Sequence, residues 1–138
     1  GRSGKKVISV NVPSIYRAGD VPGLCIAGFL YESDQDIFSP PPLREIVEER
    51  FGHYYVDMVD VDKSTGRVTD KFSHYAESLI DLTRKRSEVT KYLMTNYDWD
   101  LTFVVFTESD RLQHRLWSRK AVLARYFREL DKCIGDLV

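Results

Sequence analysis

The chain has 138 residues, of which 43% are hydrophobic, 30% charged and 12% aromatic. That composition excludes collagen-like, low-complexity and disordered classes and leaves apolar material for a sizeable core. Twenty Lys plus Arg against twenty-one Asp plus Glu give a net charge of −1, which argues against a dedicated nucleic-acid-binding domain, because neutralising phosphates needs a basic surplus.

The opening Gly1-Arg2-Ser3-Gly4 contains no initiator Met and reads as a cloning remnant or as the interior of a longer protein. Lys6 to Val12, with β-branched Val7, Ile8, Val10 and Val12, predicts a strand stopped by Pro13. A loop punctuated by Gly and Pro follows from Tyr16 to Gly23, and then a short buried strand from Leu24 to Phe29. Asp34 to Pro42 reads as loop. The triplet Pro40-Pro41-Pro42 opens a helix over Leu43 to Phe51, with Gly52 as its stop.

Tyr54 to Val61 alternates loosely and is a third strand candidate, with Asp62-Lys63-Ser64-Thr65-Gly66 as turn chemistry after it. Asp60, Asp62 and Ser64 have the opening spacing of a calcium loop. Thr65 stands where that motif needs Gly and Lys71 where it needs Glu, so the reading fails.

A long helix is predicted over Thr69 to Asn96, where Phe72, Tyr75, Leu79, Leu82, Arg86, Val89 and Leu93 fall at three- and four-residue steps and line one face. Arg86 joins that stripe through its aliphatic stem, with its guanidinium in water. The run Arg84-Lys85-Arg86 reads as a solvated helix face.

After the connector Tyr97-Asp98-Trp99-Asp100, Leu101 to Phe106 is almost free of polar residues and reads as a central strand buried on both faces. A last helix covers Lys120 to Leu137, with Leu123, Phe127, Leu130, Ile134 and Leu137 as its apolar stripe. Strands alternating with helices predict the α/β class: a layered, mainly parallel sheet flanked by helices, in a single segment over residues 1–138.

Cys25 and Cys133 lie far apart, and neither has a Cys or His at metal-ligand spacing. Apolar surroundings predict free, buried thiols and a reducing, cytosolic compartment. No apolar run approaches the roughly 18 residues of a membrane span, and the first residues show no signal-peptide pattern. Phosphate-binding glycine loops are absent as well.

In open α/β sheets functional residues cluster beyond the carboxyl ends of strands. The strongest strand is followed by Thr107-Glu108-Ser109-Asp110-Arg111-Leu112-Gln113-His114. A helical turn there puts Asp110 and His114 on one face, within reach of a single ion. An Asp oxygen with a neutral His nitrogen suits Zn²⁺ or Mn²⁺ better than Ca²⁺. The plainer alternative makes Asp110 a helix N-cap and His114 a partly buried, hydrogen-bonded histidine.

His53 and His74 have no ligand-spaced partners, and Thr107 and Ser109 suit turn and capping roles better than nucleophilic ones. Arg111, Arg115 and Trp117 flank the Asp/His pair, where helix-face packing explains them as well as substrate contact does.

The segment from Asp98 to Trp117 resembles the type I phosphodiesterase/nucleotide pyrophosphatase family of the alkaline phosphatase superfamily. Asn11-Val12-Pro13, Gly28-Phe29 and the proline-rich Phe38 to Leu43 are similar to stretches of its microbial members, in order from about Val7 to Leu130.

The resemblance implies an alkaline phosphatase-like fold, here incomplete, and a hydrolase of small-molecule phosphate esters with two divalent metals, usually zinc. Asp110 and His114 correspond to ligands of one metal. The family's nucleophile, its early metal-binding Asp, its later Asp-His pair and its last ligand His have no counterpart here, so no catalytic residue is assigned. The chain reads as the middle portion of a larger catalytic domain, inactive alone. Two further readings remain: a non-catalytic α/β binding module that keeps only the fold, and another superfamily branch, sulfatase or phosphoglycerate mutase-like. Substrate-binding residues and oligomeric state stay open.

Overall fold

A computed structural model describes residues 4–13, 22–29, 37–57 and 71–138. The chain is α/β, with elements β1 (Val7–Val12), β2 (Gly23–Ala27), β3 (Phe38–Ser39), α1 (Leu43–Phe51), α2 (Lys71–Asn96), β4 (Leu101–Val104), α3 (Glu108–Leu116) and α4 (Lys120–Gly135). It divides into two compact units, Gly1–Asp57 with Glu88–Val105, and Met58–Ser87 with Phe106–Val138.

The first unit holds a four-stranded sheet in the order β3-β2-β1-β4. β1 pairs in parallel with β2 and with β4, while β3 runs antiparallel to β2. The expected mainly parallel sheet is therefore present. The register puts Ile8, Val10, Ile26 and Phe38 on one face, because residues two apart on a strand point the same way. Leu43 and Val47 of α1, and Val89 and Leu93 of α2, complete the core over that face.

α1 has the bounds its prolines and Gly52 predict. Gly52 adopts φ 73° and donates its N–H to the Glu48 carbonyl, a left-handed stop that suits glycine. Gly28 is required by space: a Cβ there would lie 2.5 Å from the Asn11 carbonyl oxygen. The Asn11-Val12-Pro13 and Gly28-Phe29 stretches are thus in backbone contact.

Two strand expectations are corrected. Residues 54–57 contain no strand; Tyr54 and Val56 are buried as single side chains in the core, and residues 58–61 lie outside the described residues. The strand that exists, β3, falls in the stretch expected to be loop. Its two residues are held by pairing with Cys25 and Ile26, too short a run to show a period.

β4 was expected at the sheet's centre, yet among the described residues it ends the strand order, with Leu101 47% and Phe103 55% exposed. An unbroken apolar run reports hydrophobicity on both faces. It does not report how many neighbours cover them.

The second unit is helical: α2 up to Ser87, α3 and α4. Its core is Ala76, Leu79, Ile80, Leu112, Leu116, Leu123 and Tyr126. Of the predicted stripe of α4, Leu123 and Leu130 face the core, but Tyr126 and Cys133 are buried in place of Phe127 and Ile134, which are exposed. Internal hydrogen bonds account for the roll. The Tyr126 hydroxyl lies 2.9 Å from Thr83 Oγ1, and Ser87 Oγ donates to the Cys133 carbonyl at 3.0 Å. Thr83 Oγ1 spends its own hydrogen on the Leu79 carbonyl, so Tyr126 is the donor.

Arg86 is the largest correction. Its side chain is 1% exposed and its guanidinium is ion-paired with Glu108, not held in water. Position 86 lies on the buried stripe that includes Leu79, Thr83 and Thr90, too deep for a stem to reach solvent. The charge is accommodated by an opposite charge from α3. Of the basic run, Arg84 is exposed and bonds Glu129 at 2.6 Å.

Both cysteines are free and buried, as expected. Burial pushes the Cys25 thiol up to about 11, against a small opposing effect of Ser9. The Tyr16 loop up to residue 21, the 62–66 turn with its excluded calcium loop, and the side chain of Phe72 lie outside what is described. Among the described residues no helix is long and apolar enough to cross a membrane.

Candidate metal-ligand pair on α3

The chain leaves the sheet at the end of β4. Val105 still donates its N–H to the Val10 carbonyl at 3.1 Å, and its own carbonyl accepts from Asn11 Nδ2 at 2.9 Å. Asn11 is fully buried and has φ 58°, at the register shift between Val10 and Val12. Asn tolerates that left-handed backbone better than most residues do, so one side chain permits the bulge and ties β1 to the exit of β4.

α3 then runs from Glu108 to Leu116. Acidic Glu108 and Asp110 in its first turn and basic His114 and Arg115 in its last agree with the helix dipole. Thr107 is the N-cap residue, but its side chain makes no capping hydrogen bond. Ser109 Oγ donates to the Phe106 carbonyl at 3.0 Å, the turn role expected of it.

Glu108, Leu112 and Leu116 are the buried stripe. Asp110 and His114 each follow a stripe residue by two positions, about 200° around the helix, and therefore face solvent. Their side chains are 74% and 78% exposed, with His114 Nε2 3.3 Å from Asp110 Oδ1. The predicted pairing on one face is present in the geometry. The alternative of a capping Asp110 and a partly buried His114 is not: Asp110 lies three residues beyond the cap, and His114 is open to water.

The spacing fits metal chemistry in part. Zinc bonds of about 2.0–2.2 Å at a tetrahedral angle put two donor atoms about 3.4 Å apart. Two donors do not close a site, however, because a catalytic zinc takes three protein ligands. Among the described residues no group of three or more His, Cys, Asp or Glu is placed to hold a metal.

The other flagged residues have local roles. His53 Nδ1 sits 2.8 Å from Glu48 Oε1 and folds the turn after α1 back onto that helix. His74 is exposed on α2. Arg115 stacks over the Tyr75 ring at 4.7 Å, Trp117 carries Lys120 Nζ at 4.1 Å, and the Arg111 carbonyl accepts from the Tyr75 hydroxyl at 3.4 Å. Arg115 and Trp117 are both exposed.

Sequence reasoning missed the buried Arg86–Glu108 pair and the strut made by Asn11. The first had a signal. Each of two amphipathic stripes carries one charge, of opposite sign, at a position its period assigns to the core.

The model of the family described as type I phosphodiesterase / nucleotide pyrophosphatase matches residues 12–138. No curated protein and no solved structure matches the chain. The family is generally metal-dependent, and the match takes in both the sheet unit from Val12 onward and the helix bearing Asp110 and His114. The chain belongs to the type I phosphodiesterase/nucleotide pyrophosphatase family.

Proposed function

We propose that this chain is the middle portion of a divalent-metal-dependent phosphodiesterase/pyrophosphatase-like hydrolase acting on small-molecule phosphate esters. Asp110 and His114 are two ligands of one metal, zinc by donor chemistry, in a two-metal site whose remaining donors come from outside the described residues. The observation that carries the reading is the exposed carboxylate and imidazole, 3.3 Å apart on one face of α3. When bound, the metal supplies positive charge that polarises a phosphoryl oxygen.

The part played by this chain's own residues is to present donors: the Glu108, Leu112, Leu116 stripe fixes the roll of α3 and turns Asp110 and His114 outward. No described residue is assigned as nucleophile, and the 138 residues alone are expected to be inactive. The free, buried thiols support a reducing, cytosolic setting.

Metal analysis of the full-length protein, together with cleavage of a chromogenic phosphodiester, tests the reading. Retained zinc and hydrolysis that disappears in His114→Ala support it. A protein without tightly held metal, whose function survives Asp110→Ala, is instead a non-catalytic module on the same fold. Hydrolysis of a sulfate ester in preference to the phosphodiester points to another superfamily branch.

A further inference from the structure

α3 is nine residues long, shorter than a helix that holds itself in water. Its N-cap side chain makes no capping bond, so the first turn, the one that carries Asp110, depends on tertiary contacts. Leu112 and Leu116 anchor the middle and end of the helix. The group that anchors its start is Glu108, the first helical residue, 1% exposed and ion-paired with Arg86 of α2.

Asp110 and His114 face each other only while the residues between them are helical, because the four-residue spacing brings side chains together on a helix and on no extended backbone. The donor geometry therefore depends on the turn that Glu108 pins.

We propose that Arg86 is a positioning residue for the Asp110–His114 pair: through its buried ion pair with Glu108 it holds the first turn of α3 helical and keeps the two donors on one face. This rests on the reading of Asp110 and His114 as metal donors. Arg86 touches neither donor in this arrangement; it acts through Glu108. The contact runs from Arg86 Nη2 to Glu108 Oε1, and a planar guanidinium fixes the direction of that bond as well as supplying the charge. The two side chains are 1% and 2% exposed.

The test is a titration of the chain with Mn²⁺, following the paramagnetic broadening of the His114 ring protons, with exposed His74 as internal control. Amide exchange at Arg111, whose N–H donates to the Thr107 carbonyl at 3.3 Å, reports the first turn in the same samples.

Two variants are compared. Arg86→Met leaves Glu108 buried without its partner; Arg86→Met/Glu108→Gln removes both charges at nearly constant volume, which preserves the fold. In the double variant the apparent Mn²⁺ Kd at His114 is expected to rise about tenfold, the loss typical of removing a supporting partner from a metal ligand, with faster exchange at Arg111 and unchanged exchange in α2. Wild-type Mn²⁺ affinity in a folded double variant overturns the proposal and leaves the ion pair a structural feature only. Broadening of His114 no greater than that of His74 in the unaltered chain removes the metal-donor reading itself, and the proposal with it. Restoration of the wild-type Kd by Arg86→Lys/Glu108→Asp assigns the effect to charge alone and also contradicts a geometric role.

Discussion

The cores of the two units are built on different terms. In the sheet unit, Ile8, Val10, Ile26, Phe38, Leu43, Val47, Val89 and Leu93 form an apolar interior, and the polar residues buried there, Ser9, Asn11 and Thr90, carry no charge. In the helical unit, Arg86, Glu108, Thr83 and Ser87 are buried beside Leu79, Leu112 and Tyr126. Apolar burial is non-directional and tolerates small shifts, whereas a buried ion pair requires a particular approach of two helices. The unit that bears Asp110 and His114 is the one that buries an ion pair, a directional contact of the kind that a site holding two donors in place requires.

The sharpest way to break this contrast is Arg86→Met, which strands a buried carboxylate and is expected to cost about 3–5 kcal/mol in denaturant unfolding. A loss under about 1 kcal/mol would mean that Glu108 reaches water and that the two cores do not differ in kind. Ile26→Ala probes the other core. Truncation there is expected to cost about 2–5 kcal/mol, rising with the cavity left behind, and to leave exchange at Arg111 unchanged.

Tyr126→Phe removes the donor to Thr83 while Thr83 keeps its bond to the Leu79 carbonyl. A loss of about 1 kcal/mol in the same assay is expected.

The smallest effect is on the surface of the helical unit. Lys132 and Arg84 hold the Glu129 carboxyl down at about 2, from an ordinary 4.5. A group with a depressed native pKa contributes stability that is complete above about pH 4.5 and is lost as the pH falls toward 2. Glu129→Gln should therefore flatten the pH dependence of stability in that window and change little at pH 7. An unaltered acid limb would assign it to other carboxylates. Asp98 and Asp100, lowered by Lys6 and Lys5, have the same sign.

What the sequence made legible follows the same division. β1, β2, α1 and α2 could be read because proline, glycine and a long apolar stripe are local signals, and the Asp110-x3-His114 spacing needed only the helix period. The two residues of β3 could not be read, because their strand exists by pairing with β2. The edge position of β4 is a matter of topology, which a run of apolar residues does not encode. The roll of α4 was missed because Tyr126 and Phe127 are equally apolar to a periodicity argument, and a hydroxyl partner on α2 decides between them. Arg86 was placed in water by a rule for single charges. Its burial depends on Glu108, 22 residues away in sequence.

The account's central claim is that α3 presents Asp110 and His114 as metal ligands. Crystals of the full-length protein grown with Zn²⁺ and measured at the zinc edge test it directly. The predicted result is an anomalous peak about 2.0–2.1 Å from His114 Nε2 and about 2.0–2.2 Å from an Asp110 carboxylate oxygen. Zinc bound elsewhere, with Asp110 and His114 still 3.3 Å apart and bonded only to each other, would contradict it.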